Sequence, residues 1–337
     1  LFIEKFSGLT YIMGALMSSI VCILGMKSAT YANVRTANVA KETLSVGKTV
    51  KVALSGGSVS GISVQAFGLI GLLLVILVSG VGPQSQEIAT ALGGGLQSYE
   101  GCGIVPIDAL LTNASVMRIT AYSLGCSTVA MFNRVAGGNY TKAADISADI
   151  LGKIRNDLPE DDSRVPNVIA DFIGDNVNDI AGNCSDLLES FVATMSAFIV
   201  VALAFGNPTL STLAYLFPLV VAGGGLLGCL IGLVFAAAKK MGNNPSKELN
   251  LATYISAGIS VVTCGVAAYF AFSKTTLPVD FKIGWISPWV CAVLGIASGV
   301  AIGIITEYYT SADYKPTKKI AEYAVEGEAF VVTKGDA

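Results

Sequence analysis

Apolar stretches of membrane-crossing length recur from one end of this chain to the other, and no other feature constrains its fold as tightly. A helix needs about 20 predominantly apolar residues to cross a hydrocarbon core. Stretches of that kind are read at 9–29, 52–77, 109–132, 168–205, 210–238, 251–272 and 288–306. Runs such as 67–77 (FGLIGLLLVIL) are apolar throughout, without the alternation that a transmembrane β-strand shows over about ten residues. The spacing therefore predicts an all-α, polytopic membrane helical bundle of about seven transmembrane helices. Composition agrees, because only 13% of residues are charged where soluble domains carry about 25%, and mean hydropathy is +0.66. Residues 1–321 are read as a single bundle. Residues 322–337 carry Glu326, Glu328, Lys334 and Asp336 without sustained helical periodicity, which predicts a loosely ordered cytoplasmic tail.

The basic residues orient the bundle. Lys27, Arg35, Lys41, Lys48 and Lys51 fall between the first two stretches, and Arg134, Lys142, Lys153, Arg155 and Arg164 between the third and fourth. Lys239, Lys240 and Lys247 follow the fifth, and Lys315, Lys318, Lys319 and Lys334 follow the seventh, whereas the opposite loops hold only Lys274 and Lys282. By the positive-inside rule the first group faces the cytoplasm. The first residue is Leu1 and no basic n-region precedes the first stretch, so no cleaved signal peptide and an incomplete N-terminus are expected.

Composition also excludes chemistry. There is no histidine, so the commonest side chain for metal ligation and proton transfer near neutral pH is missing. The seven cysteines show no CxxC pair or metal-ligand spacing and read as small buried apolar residues. A net charge of −3 gives no reason to expect a nucleic-acid partner. Acid–base or metal chemistry in this chain must run on carboxylates.

Those carboxylates are concentrated. Eleven of the 24 acidic residues lie between Asp145 and Glu189. Asp171, Asp175 and Asp179 recur at i, i+4 and i+8, which on an α-helix stacks them along one face, and Asp186 and Glu189 continue roughly the same stripe. Asp145 and Asp149 form a second i, i+4 pair, with Lys153 four residues further on. Like charges at that spacing repel, so a compensating cation is expected. Oxygen donors without histidine or thiolate favour hard cations such as Mg2+, which is usually held by a few carboxylates and by substrate phosphates. Lys142 and Lys153 can reach phosphate oxygens as point charges. Asp186 and Glu189 run into an apolar stretch, so both are expected at membrane depth, where carboxylates mark functional sites. Asp157, Asp161 and Asp162 read as a solvated loop.

At 141–153 (TKAADISADILGK), 159–164 (PEDDSR), 171–182 (DFIGDNVNDIAG) and 186–190 (DLLES) the chain resembles the signature segments of ion-translocating membrane pyrophosphatases. Two more stretches, 24–36 (LGMKSATYANVRT) and 306–311 (TEYYTS), are similar to the same family and flank the signature in the family's order. The resemblance implies an inorganic pyrophosphatase that couples hydrolysis of magnesium pyrophosphate to proton or sodium translocation. It implies metal ligation by Asp145, Asp149, Glu160, Asp171 and Asp175, substrate contacts from Lys142 and Lys153, and orientation of the attacking water by Asp179. Arg134, Asp186 and Glu189 would lie along the ion path. The partners implied are magnesium pyrophosphate, the lipid bilayer, a second copy in a homodimer, and the polypeptide of the remaining, C-terminal half, since family members are about twice as long and this chain corresponds to their third to ninth helices.

The sequence departs from the family at Phe172 and Val165, where the family has Asn, at Asn178 and Ser147, where it has Gly, and at Ser163, where it has Pro. A side chain in place of glycine narrows the room for a ligand, so Asn178 and Ser147 are expected to crowd a metal–pyrophosphate complex. Two other classes stay open beside the half-pump: a carboxylate-based cation transporter without hydrolysis, and a non-catalytic remnant. Lysines beside the acids speak against the first, since a pure cation path gains nothing from fixed positive charge.

Overall fold

The structure is a computed structural model that describes residues 6–79, 114–203, 208–239, 245–273 and 283–336. Every regular element among them is helical. α1 (Ser7–Thr43) ends at Leu44 in the left-handed conformation, φ 47°, and α2 (Val46–Ser79) begins two residues later, so the pair forms a tight hairpin. α3 (Ala114–Asp149) runs into a π-helical turn, Ile150–Arg155. A second long helix comprises α4 (Asn167–Asp175), a π-helical turn at Asn176–Gly182, and α5 (Asn183–Leu203). α6 (Pro208–Ala238), α7 (Pro245–Phe272) and α8 (Ile286–Thr310) follow, then the short α9 (Lys315–Tyr323) and α10 (Glu328–Asp336).

Six of these helices are long and apolar enough to cross a membrane: Ser7–Thr43, Val46–Val78, Asn167–Ala202, Leu213–Ala238, Lys247–Phe272 and Ile286–Tyr323. The third stretch read from the sequence, 109–132, begins outside the described residues and continues as α3, which is too polar to be counted with them. Its position explains the polarity, because α3 packs against α1, α2 and α5. Its polar groups meet protein: Thr128 Oγ1 accepts from Tyr11 Oη at 3.0 Å, and Asn133 Nδ2 donates to Ser185 Oγ at 3.3 Å. Helix faces buried in protein tolerate polar side chains that lipid would not.

In a bilayer, helices associate through close packing and interhelical hydrogen bonds, and here glycine sets the closest approach. A Cβ on Gly14 would lie 2.1 Å from the Tyr122 carbonyl oxygen, and one on Gly125 2.1 Å from that of Tyr11, so α1 and α3 cross backbone to backbone. The core beside this crossing holds Val21, Leu72, Ile119, Tyr122, Leu188 and Val192. Cys22, Cys126, Cys184 and Cys264 are buried as expected, whereas Cys229 and Cys291 are exposed and Cys102 lies outside the described residues.

The C-terminal segment differs from the sequence reading. Glu328–Asp336 is helical and not irregular. The helix buries no residue and carries no apolar stripe, so hydrophobic periodicity could not announce it.

Candidate functional site

Two helical arms carry the acidic segment, and small-residue contacts press them together. A Cβ on Gly174 of α4 would lie 2.8 Å from Thr141 Oγ1, and one on Gly137 of α3 would lie 3.1 Å from Asn178 Cα. The loop joining the arms folds back on itself: Leu158 N donates to Gly152 O at 3.0 Å and Val165 N to Asp162 O at 2.9 Å. Ala148, Val165 and Val168 form a small apolar cluster beneath it, with Leu151 and Leu158 against them. Asp157 and Asp161 take positive φ, 51° and 58°, a conformation that aspartate tolerates better than most residues.

Apart from the Arg164–Asp162 pair within the loop, 2.6 Å apart, the paired charges and their neighbours divide into four groups. Lys153 Nζ bridges Asp149 Oδ1 and Glu160 Oε2, 3.1 Å from each, and so ties the loop to the first arm. Donating to these two carboxylates, Asp149 first, raises the Lys153 ammonium above its ordinary pKa, so the bridge is intact at neutral pH and loosens only above the usual lysine range. Lys142 Nζ reaches Asp145 Oδ2 at 3.2 Å. Next to this pair sits Asp171, buried at 8% exposure, whose electrostatic neighbours are Asp175, Asp145, Asp161 and Lys142. Among the described residues neither Asp171 nor Asp175 forms an ion pair. The third group lies about three turns beyond Asp175, where Arg134 Nη2 meets Asp186 Oδ2 at 3.3 Å. In the fourth, Ser127 Oγ donates to Glu189 Oε1 at 2.8 Å, and Ser190 Oγ to Oε2 at 3.4 Å.

The expected single stripe of carboxylates does not extend past Asp175. A π-helical turn begins at Asn176, and it holds more residues per turn than the α spacing assumes, which changes the side each later residue presents. Asp179 accepts a hydrogen bond from Asn178 Nδ2 at 2.9 Å and lines a cleft against Asn33 and Thr36 of α1. Ser147 donates to Ala144 O at 2.9 Å and accepts from Asn167 Nδ2 at 3.2 Å. The residues that stand where the family has glycine are thus engaged within the arms. Asp161, read from the sequence as a solvated loop residue, is brought beside Asp171. Ser127 and Asn133 carried no signal, since a lone hydroxyl or amide in an apolar stretch is ordinary.

Among the described residues no three acidic or cysteine side chains converge as a metal cage. The donor set itself is carboxylate oxygen, with a buried, unpaired Asp171 beside Asp175. That chemistry fits a hard divalent cation that takes one or two carboxylates and draws its other ligands from phosphate and water.

A family description, inorganic H+ pyrophosphatase, matches residues 1–337. The chain belongs to that family. A K+-stimulated pyrophosphate-energized sodium pump of Thermotoga maritima is 40% identical over 98% of this chain and 46% of its own length. A K+-insensitive pyrophosphate-energized proton pump of Moorella thermoacetica is 31% identical over 98% of the chain and 43% of its own. A putative K+-stimulated sodium pump of Bacteroides thetaiotaomicron is 34% identical over 97% and 41%. The chain therefore spans less than half the length of these relatives. Membership of this family and the six membrane-crossing helices make it an integral, multi-pass membrane protein.

Proposed function

We propose that this chain carries half of the active site, and the mouth of the ion path, of a pyrophosphate-energized proton or sodium pump, with the site on the cytoplasmic face. The observation that carries the reading is the buried carboxylate of Asp171, packed beside Asp175 and Asp145 with no lysine or arginine paired to it. A buried carboxylate among others of its kind is costly without a cation, and Lys142, the cation among its electrostatic neighbours, is paired to Asp145. In this reading Asp171 and Asp175, with Asp145, Asp149 and Glu160, hold magnesium, while Lys142 and Lys153 swing from their carboxylates to the pyrophosphate oxygens. When bound, the metal shields the phosphate charge and polarises the oxygens toward attack. Asp179 holds the attacking water from the second arm. Asp186, paired with Arg134 of α3, and Glu189 lie further along the second arm, on α5, and begin the ion path. Hydrolysis needs the polypeptide that supplies the remainder of the relatives' length, and a second copy of the chain as partner rests on the family resemblance.

Titration calorimetry of the purified chain with a non-hydrolysable pyrophosphate analogue tests this. Binding is expected only with magnesium and is lost in an Asp171→Asn, Asp175→Asn double variant. Equal binding without magnesium, or in the variant, overturns the reading. The carboxylate transporter without hydrolysis predicts magnesium binding that the analogue leaves unchanged.

A further inference from the structure

Two glycine ladders of the same spacing have opposite surroundings in this bundle. On α6, Gly224, Gly228 and Gly232 recur every four residues, and α7 meets each of them. A Cβ there would lie 2.7 Å from Thr263 Oγ1, 3.0 Å from the Ser256 carbonyl oxygen and 2.9 Å from that of Ala252. On α8, Gly295, Gly299 and Gly303 repeat the spacing, and nothing lies within 4 Å of where their Cβ atoms would be. α8 buries no residue at all. It is fastened to α7 at two points, through Trp289 Nε1 donating to Val261 O at 3.1 Å and Asn250 Nδ2 donating to Glu307 Oε2 at 2.9 Å. Beside the second bond opens a cleft of about 700 Å³, in which Gly299 and Gly303 face Thr253 and Tyr254, with Glu307 and Thr310 at its end.

Glycines spaced by four are how membrane helices let another backbone approach closely, as α6 and α7 demonstrate in this molecule. The polar lining selects the occupant. Thr253 and Thr310 are satisfied within their own helices, donating to Leu249 O and Thr306 O, so the selection falls to Glu307: its Oε2 takes the Asn250 bond, and an acyl chain offers the carboxylate no further donor, whereas a helix can. The relatives carry more than half of their length beyond what this chain spans. We infer that the α7–α8 cleft is the docking surface for a membrane-spanning helix from that remaining part of the pump, seated across Gly299 and Gly303 with a donor facing Glu307. The stretch 306–311, singled out in the sequence but absent from the acidic site, thereby gains a role. The inference rests on packing and on the family's length, and holds whether or not the acidic site binds pyrophosphate.

Photo-crosslinking in the membranes of the chain's own host tests it, with Tyr254→p-benzoylphenylalanine in the full chain and mass spectrometry of the adducts. The expected adduct is a membrane-spanning peptide similar in sequence to the region of the pumps outside the matched part. Gly299→Leu with Gly303→Leu is expected to lower its yield about tenfold, as loss of one close helix contact would. Open space around both glycines means these leucines do not disturb the fold of the chain itself. Gly258→Leu, also in open space on α7, leaves the yield unchanged. Adducts with lipid only, adducts with a second copy of this chain, or a yield indifferent to the leucines would each overturn the inference.

Discussion

Replacing Gly14 by alanine probes the backbone crossing of α1 and α3. The new Cβ would lie 2.1 Å from the Tyr122 carbonyl oxygen and 3.1 Å from the Cys126 nitrogen. Carbon and oxygen settle at about 3.3 Å or more, so α1 and α3 must part by about 1.2 Å. Both obstacles are backbone, so no rotamer change relieves them. Gaps of about 0.5–1 Å already forfeit about a quarter to a half of each contact's attraction, and overpacking of a close-packed interior costs about 1–3 kcal/mol or more. We expect about 3 kcal/mol for Gly14→Ala. Gly125→Ala meets the Tyr11 carbonyl at 2.1 Å and should cost about the same. Because the first alanine already separates the helices, the double variant should cost about 4 kcal/mol and not the sum. Reversible unfolding in mixed micelles measures all three, with Gly258→Ala as a control within about 0.5 kcal/mol. A Gly14→Ala cost below about 0.5 kcal/mol, or full additivity in the double variant, would refute the backbone-to-backbone crossing.

Two further expectations concern the polar groups. Ser127→Ala removes the 2.8 Å donor to Glu189 and should destabilise the bundle by about 1–2 kcal/mol; in a Glu189→Gln background the same change should cost measurably less by the same unfolding assay. Bonds from the Arg164 side chain and backbone hold Asp162 down at about 2, so whatever stability the pair lends is present above the ordinary carboxylate range and lost as pH falls toward 2. Arg164→Gln removes the guanidinium bonds but keeps the backbone one, so the Asp162 carboxyl should rise part of the way toward its ordinary value, read by carbon NMR of selectively labelled aspartate, and an unchanged titration would dismiss the pair.

The bundle was legible because apolar run length alone identifies a span, whatever its neighbours are. α3 was read only as far as 132, because the residues that extend it to Asp149 are polar for a reason that lies in other helices. Nor could spacing reveal which of the 37 glycines are crossing points, since Gly14 and Gly125 are set by two helices more than a hundred residues apart. Within the site, local pairs were readable. Lys142 and Asp145 are i, i+3, and Asp149 and Lys153 are i, i+4, the spacings at which helical side chains meet. The Arg134–Asp186 contact and the approach of Asp161 to Asp171 depend on the arms' packing. The π-helical turns depend on it too, and they defeat a stripe drawn at α spacing.

The way each carboxylate is compensated points to where a cation is needed. Like charges at i, i+4 repel, and most of the acids have been answered by the chain itself. Lys142 answers Asp145, Lys153 answers Asp149 and Glu160, and Arg134 answers Asp186. Neutral donors serve Asp179 and Glu189. Arg164 answers Asp162, and Asp157 and Asp161 stand exposed in the loop. On the helices Asp171 and Asp175 are left, one of them buried, both on the short α4 between the loop and a π-helical turn. The α4 segment is therefore where the free chain is electrostatically least satisfied, and where a divalent cation yields the largest gain in order. Magnesium with pyrophosphate should accordingly protect the amides of α4 from exchange before those of α5, whose carboxylates already have partners.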